Sequence, residues 1–107
     1  MGYNITKDLA IDGFTNLLAV LVAAGYDGPA RLIYDGSVLQ NMDGTVDCYF
    51  HATGNSASAS GLTGTDGIPF GPAGGTSPVY TLAKGTDLST VWLYSASAIT
   101  VNAAIQG

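Results

Sequence analysis

Residues 45–52 alternate without a break: Val46, Cys48 and Phe50 fall on one face, and Thr45, Asp47, Tyr49 and His51 on the other. Successive side chains of a strand point to opposite sides, so this segment reads as a half-buried antiparallel strand with one face on a core. Such a strand needs partners, and other stretches offer them. In residues 3–11, Tyr3, Ile5, Leu9 and Ile11 share a side that Lys7 interrupts, the mark of an edge strand whose charge discourages further pairing. Shorter strands are expected at 30–35 (Leu32, Ile33, Tyr34), 37–42 and 79–83. Residues 90–95 and 99–105 read as two strands joined through Ala96-Ser97-Ala98 into a hairpin.

One stretch breaks the two-residue period. Phe14, Leu17, Leu18, Leu21 and Val22 recur at helical spacing, which predicts a helix over 13–24, with Asp12 to cap its start and Gly25 to end it. Residues 18–22 (Leu-Ala-Val-Leu-Val) also suit a buried strand, and periodicity over so short a run separates the two poorly. Of the eight aspartates, five precede glycine (Asp12, Asp27, Asp35, Asp43 and Asp66), where aspartate makes Asx-turns and caps. A single helical turn is expected at Asp87-Leu88-Ser89.

The whole chain of 107 residues is expected to be a single domain, mainly β, an antiparallel β-sandwich or jelly-roll-like subunit with one short helix near 13–24. Residues 53–77 form a long loop of Gly, Ala, Ser, Thr and Pro. Within it, 67–72 (Gly-Ile-Pro-Phe-Gly-Pro) look like an extended piece that lies against something.

Charge and residue chemistry narrow the function. Net charge is −5 and the cations Lys7, Arg31 and Lys84 form no run, which argues against nucleic acid and an anionic membrane as partners. No stretch has the build of a signal peptide, and the apolar run 17–24 is too short to span a bilayer. Metal sites need several ligands, and the single His51 and single Cys48 sit three apart on a strand, on opposite faces. Cys48 reads as a small core residue and His51 as a solvent-facing or interface residue. Ser56, Ser58 and Ser60 lie in the glycine-rich loop with no nucleophile elbow, so neither a catalytic site nor a cofactor is expected.

The aromatic residues are more telling. Trp92 and Tyr94 share one face of their strand while Val91 and Leu93 share the other. A strand apolar on both faces is covered on both, here by the helix on one side and a neighbouring subunit on the other. Tyr49, Trp92 and Tyr94, with Ile68 and Phe70 of the extended piece, are therefore the candidate interface residues.

Over residues 38–105 the chain resembles small virion structural proteins of tailed bacteriophages. The resemblance lies in the 46–52 strand, the Gly67-Ile68-Pro69 element, and Asp87-Leu88-Ser89 leading into Val91-Trp92-Leu93-Tyr94 and a last strand at 99–105. It implies an antiparallel β-subunit of a capsid, neck or tail, located in the virion after assembly in the host cytoplasm. The expected role is a capsid decoration or head-associated subunit, a homo-oligomer, with a trimer favoured, that contacts the major capsid protein. The alternatives are a carbohydrate-binding β-sandwich with Tyr49, Trp92 and Tyr94 as a sugar platform, or a tail or neck subunit.

Overall fold

The computed structural model describes residues 4–52, 62–75 and 77–106. Tyr3 and the serines Ser56, Ser58 and Ser60 lie outside the described residues. The fold is mainly β: an antiparallel sheet nearly closed into a barrel, sandwich-like, with one helix. Its strands are β1 (Asn4–Asn16), β2 (Ser37–Asn41), β3 (Cys48–Ala52), β4 (Ile68–Phe70), β5 (Val79–Leu82) and β6 (Val91–Gln106).

The long strand β6 organises everything else. β1 runs antiparallel to it from Asn4↔Gln106 to Asn16↔Trp92 and so occupies one edge throughout. On the other edge β3 pairs with 91–94 and β2 with 101–104. β4 extends the first arm and β5 the second. Between the arms the β1–β6 pair changes register, from Ile11↔Ile99 to Gly13↔Ser95, leaving Ala96, Ser97 and Ala98 opposite Asp12. This bulge is where both strands bend and carry the sheet from one arm to the other. Gly13 provides the required backbone at φ 62°, and the Ser95 hydroxyl lies within bonding distance of the Ile11 and Ser97 carbonyls (3.1 and 2.6 Å).

Two expectations are corrected here. The segments 90–95 and 99–105 do not form a hairpin but one strand, because Ala96-Ser97-Ala98 has no Gly, Asn or Asp for the positive-φ positions of a tight hairpin turn and forms the bulge instead. Residues 30–35 are not a strand either. Arg31 makes an isolated bridge to Asp87, and Leu32 exchanges backbone bonds with Thr86 and Gly85, so only Leu32 is buried. The narrow 84–87 turn offers nothing for a longer ladder.

The helix is also shorter than expected. α1 spans Leu17–Ala23, since Phe14 is still in β1, paired with Tyr94. Asn16, not Asp12, is the N-cap, its side chain accepting from the Ala19 N–H at 3.0 Å. Gly25, at φ 111°, follows the helix as expected. Leu17 and Leu21 are buried, with α1 packed against β1, β6 and the 3-10 turn Leu88–Thr90, where the Asp87 side chain accepts from the Ser89 N–H.

Odd-numbered residues of β6 point inward through most of its length: Val91, Leu93, Ser95, Ile99, Val101, Ala103 and Ile105 are all buried. They meet Leu9, Ile11, Leu39, Cys48, Phe50, Phe70 and Leu82 from the other strands. Each fully buried large apolar side chain contributes about 1.5–3 kcal/mol, which lets a chain with no disulfide hold its shape. Cys48 is fully buried, as expected, and burial pushes its thiol up to about 12.

Candidate protein-binding surface

The outward face of the first arm carries an aromatic group. Cross-strand pairing sets Tyr49 opposite Tyr94, His51 opposite Trp92 and Phe14 opposite Tyr94. The Phe14 ring lies 4.9 Å from Tyr94 and 5.4 Å, edge-on, from His51. Much of this face is covered by the chain itself. The 3-10 turn Gly64–Asp66 sits on it so closely that a Cβ at Gly64 would lie 2.5 Å from the Tyr94 ring.

His51 is consequently buried rather than solvent-facing or at an interface. Its Nε2 lies 2.8 Å from the Gly64 carbonyl oxygen. A carbonyl only accepts, so Nε2 carries the proton of this bond. The expected second cover is thus supplied in part by the chain itself, Gly64 lying on Tyr94 and Gly67 on His51, and Tyr49, Trp92 and Tyr94 are half-buried. The Tyr49 and Tyr94 rings are tilted by 52°, an arrangement suited to packing rather than to a flat sugar platform.

Phe70 is a further correction. Its alternation in β4 turns it inward beside Cys48, where it is 1% exposed and packs near Tyr80. It belongs to the core. Ile68, two residues earlier and on the same face, is 54% exposed. The extended piece does lie against something, namely β3.

Ile68 is exposed because the sheet does not close. Among the described residues, β4 and β5 each pair on one edge only, and a seam separates β3–β4 from β5. Tyr80 of β5 bridges the seam by stacking on Phe50 of β3, with ring centroids 4.2 Å apart, and partial burial raises the Tyr80 hydroxyl pKa. Two hollows open beside this stack. One, of about 570 Å³, involves Leu62, Asp66 and Ile68; the other, of about 310 Å³, involves Ala52, Leu82 and Asp87. The seam is pinned at one end, where Gly71 N–H donates to the Ser77 carbonyl and Asn41 N–H to the Pro78 carbonyl.

Tyr80 and the β5 edge were not singled out in the sequence. A four-residue strand gives no local sign of whether its second edge is paired. Asp47 was likewise seen only as a polar-face residue. It is 5% exposed and accepts from the Ala73 and Gly74 amides at 2.9 and 2.5 Å, a bond between distant loops.

Among the described residues, no three His, Cys, Asp or Glu side chains gather as a metal site, and no helix is long and apolar enough to cross a membrane. No family model, curated protein or solved structure matches the chain. The surface chemistry itself must therefore carry the functional reading.

Proposed function

We propose that the chain is a non-catalytic structural subunit that works by binding other polypeptides in an assembled particle. Its best-supported setting is the virion of a tailed bacteriophage, as a capsid decoration or head-associated protein. One observation carries the binding role. Ile68 points to the core side of its strand and is still 54% exposed, so core-type surface lies open at the seam. Val22, Ile33 and Met42 add exposed apolar area elsewhere. Charged residues make up only 10% of the chain, which leaves its surface poorly suited to remaining alone in water. The virion setting is supported by the resemblance over residues 38–105.

The mechanism is linkage. A subunit that binds the assembled shell and not its dissociated parts stabilises the shell by mass action, and repeated copies add avidity. In this reading copies associate with one another, as trimers, and with the major capsid protein. The test is to mix the purified chain with empty heads assembled from the same genome, sediment them, and measure oligomeric state by light scattering. The chain is expected as an oligomer and in the pellet. A strict monomer that stays in the supernatant would overturn the proposal.

A further inference from the structure

The sheet has three open edges among the described residues, and they are not alike. β1 is guarded by Lys7, which sits on the same side as Ile5, Leu9 and Ile11 and is exposed. An inward-side lysine blocks the approach of another strand. β4 is three residues long and holds Pro69, which has no N–H to donate. β5 (Val79, Tyr80, Thr81, Leu82) has neither a charge nor a proline, and its edge facing the seam pairs with no strand among the described residues; the Val79 N–H donates to Ser77 Oγ at 3.1 Å, which leaves the Thr81 N–H and the outward carbonyls for a partner.

From this contrast we infer that β5 accepts an added strand: an extended segment of another protein, apolar at alternate positions and flanked by Lys or Arg. The inference rests on the protein-binding reading above and names the partner's chemistry. Main-chain bonds to the β5 edge supply affinity, and an alternate side chain lodges beside Ile68 and the Phe50–Tyr80 stack. Four residues of strand cover about 13 Å, so a short segment suffices.

Charge selects the occupant. The hollows along the seam are lined by Asp66 and Asp87 and by no lysine or arginine. Arg31 offsets Asp87 from outside the lining, at 3.6 Å, while Asp66 is exposed with no ion pair among the described residues. A second copy brings the same charge of −5, and its own β5 has a basic flank at one end only, Lys84, with Thr76-Ser77-Pro78 at the other. Basic flanks match the seam, and self-association is left to other surfaces.

The probe is the synthetic peptide Lys-Val-Thr-Val-Thr-Val-Lys, with a counterpart carrying Glu at both ends. Amide NMR shifts and hydrogen exchange of the full chain are followed during titration. The basic-ended peptide is expected to shift Val79–Leu82 and protect the Thr81 amide, which points away from β2, to bind at least about tenfold more tightly than the acidic one, and to weaken as salt rises from about 0.05 to about 0.5 M. Ile68→Ser, which leaves the β5 backbone intact, is expected to weaken binding about fivefold. Asp66→Asn is expected to reduce the preference for the basic peptide.

Three results overturn the inference: equal binding of both peptides, no change at β5, or a Thr81 amide already protected in the free chain. Concentration-dependent shifts at β5 without peptide would assign the edge to a second copy and overturn the proposed occupant. Failure here with the chain still sedimenting on particles leaves the structural-subunit reading standing. Failure to sediment removes that reading independently.

Discussion

Asn41 ties β2 to β4 and to the loop that leads into β3 with one side chain. It is 3% exposed, its amide donates to the Val46 and Phe70 carbonyls at 2.8 and 3.1 Å, and its oxygen accepts from the Asp43 amide at 2.9 Å. Asn41→Leu fills the space but strands these groups, and each buried group left unpaired costs about 1–3 kcal/mol. The expected loss is about 2–4 kcal/mol by urea titration. Asp43 and Asp87 act at the surface. Backbone bonds from Thr45 and Val46 hold the Asp43 carboxyl below its ordinary value of 3.8, and bonds from the Ser89 side chain and backbone do the same for Asp87. Because both are lower in the folded chain, their stabilisation is full above 3.8 and is lost as pH falls through the folded values. Asp43→Asn is therefore expected to narrow the difference in urea midpoint between about pH 6 and about pH 3. Cys48, with its thiol pushed up to about 12, is expected to resist iodoacetamide in the native state and to react promptly in denaturant.

At the scale of elements the bend between the arms matters most. Gly13 holds it at φ 62°, and a Cβ there would meet nothing within 4 Å. Gly13→Ala therefore tests backbone strain alone, with an expected cost of about 1–2 kcal/mol, and Gly13→Asn should recover part of it. Equal stability of the alanine variant by thermal melting would mean that the bend does not need the left-handed conformation. Gly13 also shows where sequence reading stops. Strands within 45–52 and 37–42, a single turn near 87–89 and an extended piece within 67–72 were legible because their alternation or capping is local; they are observed as Cys48–Ala52, Ser37–Asn41, Leu88–Thr90 and Ile68–Phe70, and the alternation at 45–47 is not strand. Phe14 was drawn into a helical stripe because its spacing to Leu17 and Leu21 is helical, while the pairing that fixes it, with Tyr94, is eighty residues away. The break at 96–98 was read as a turn although Val91, Leu93, Ile99, Val101, Ala103 and Ile105 keep one parity across it. That shared parity was the signal for a single strand. Ile33 and Tyr34 have strand propensity, but propensity does not create a partner.

At the scale of the molecule the candidate surface was half legible. Ile68 was marked from its extended, glycine-bounded context and is exposed. Phe70, its neighbour in the same piece, is core, because a three-residue strand still alternates. On the outer side of Tyr94 part of the cover comes from Gly64 of the same chain, and no spacing in the sequence announces that contact. What distinguishes the whole is a sheet that stops short of closing, with two edges guarded by Lys7 and Pro69 and one unguarded. The central claim is that this opening exists to be filled by another polypeptide. Hydrogen exchange of the Thr81 amide, which points away from β2, tests it most directly, compared between the free chain and the chain sedimented with particles from the same genome. Fast exchange of this amide when free and strong protection when bound is the predicted result; unchanged exchange there in the bound chain would contradict it.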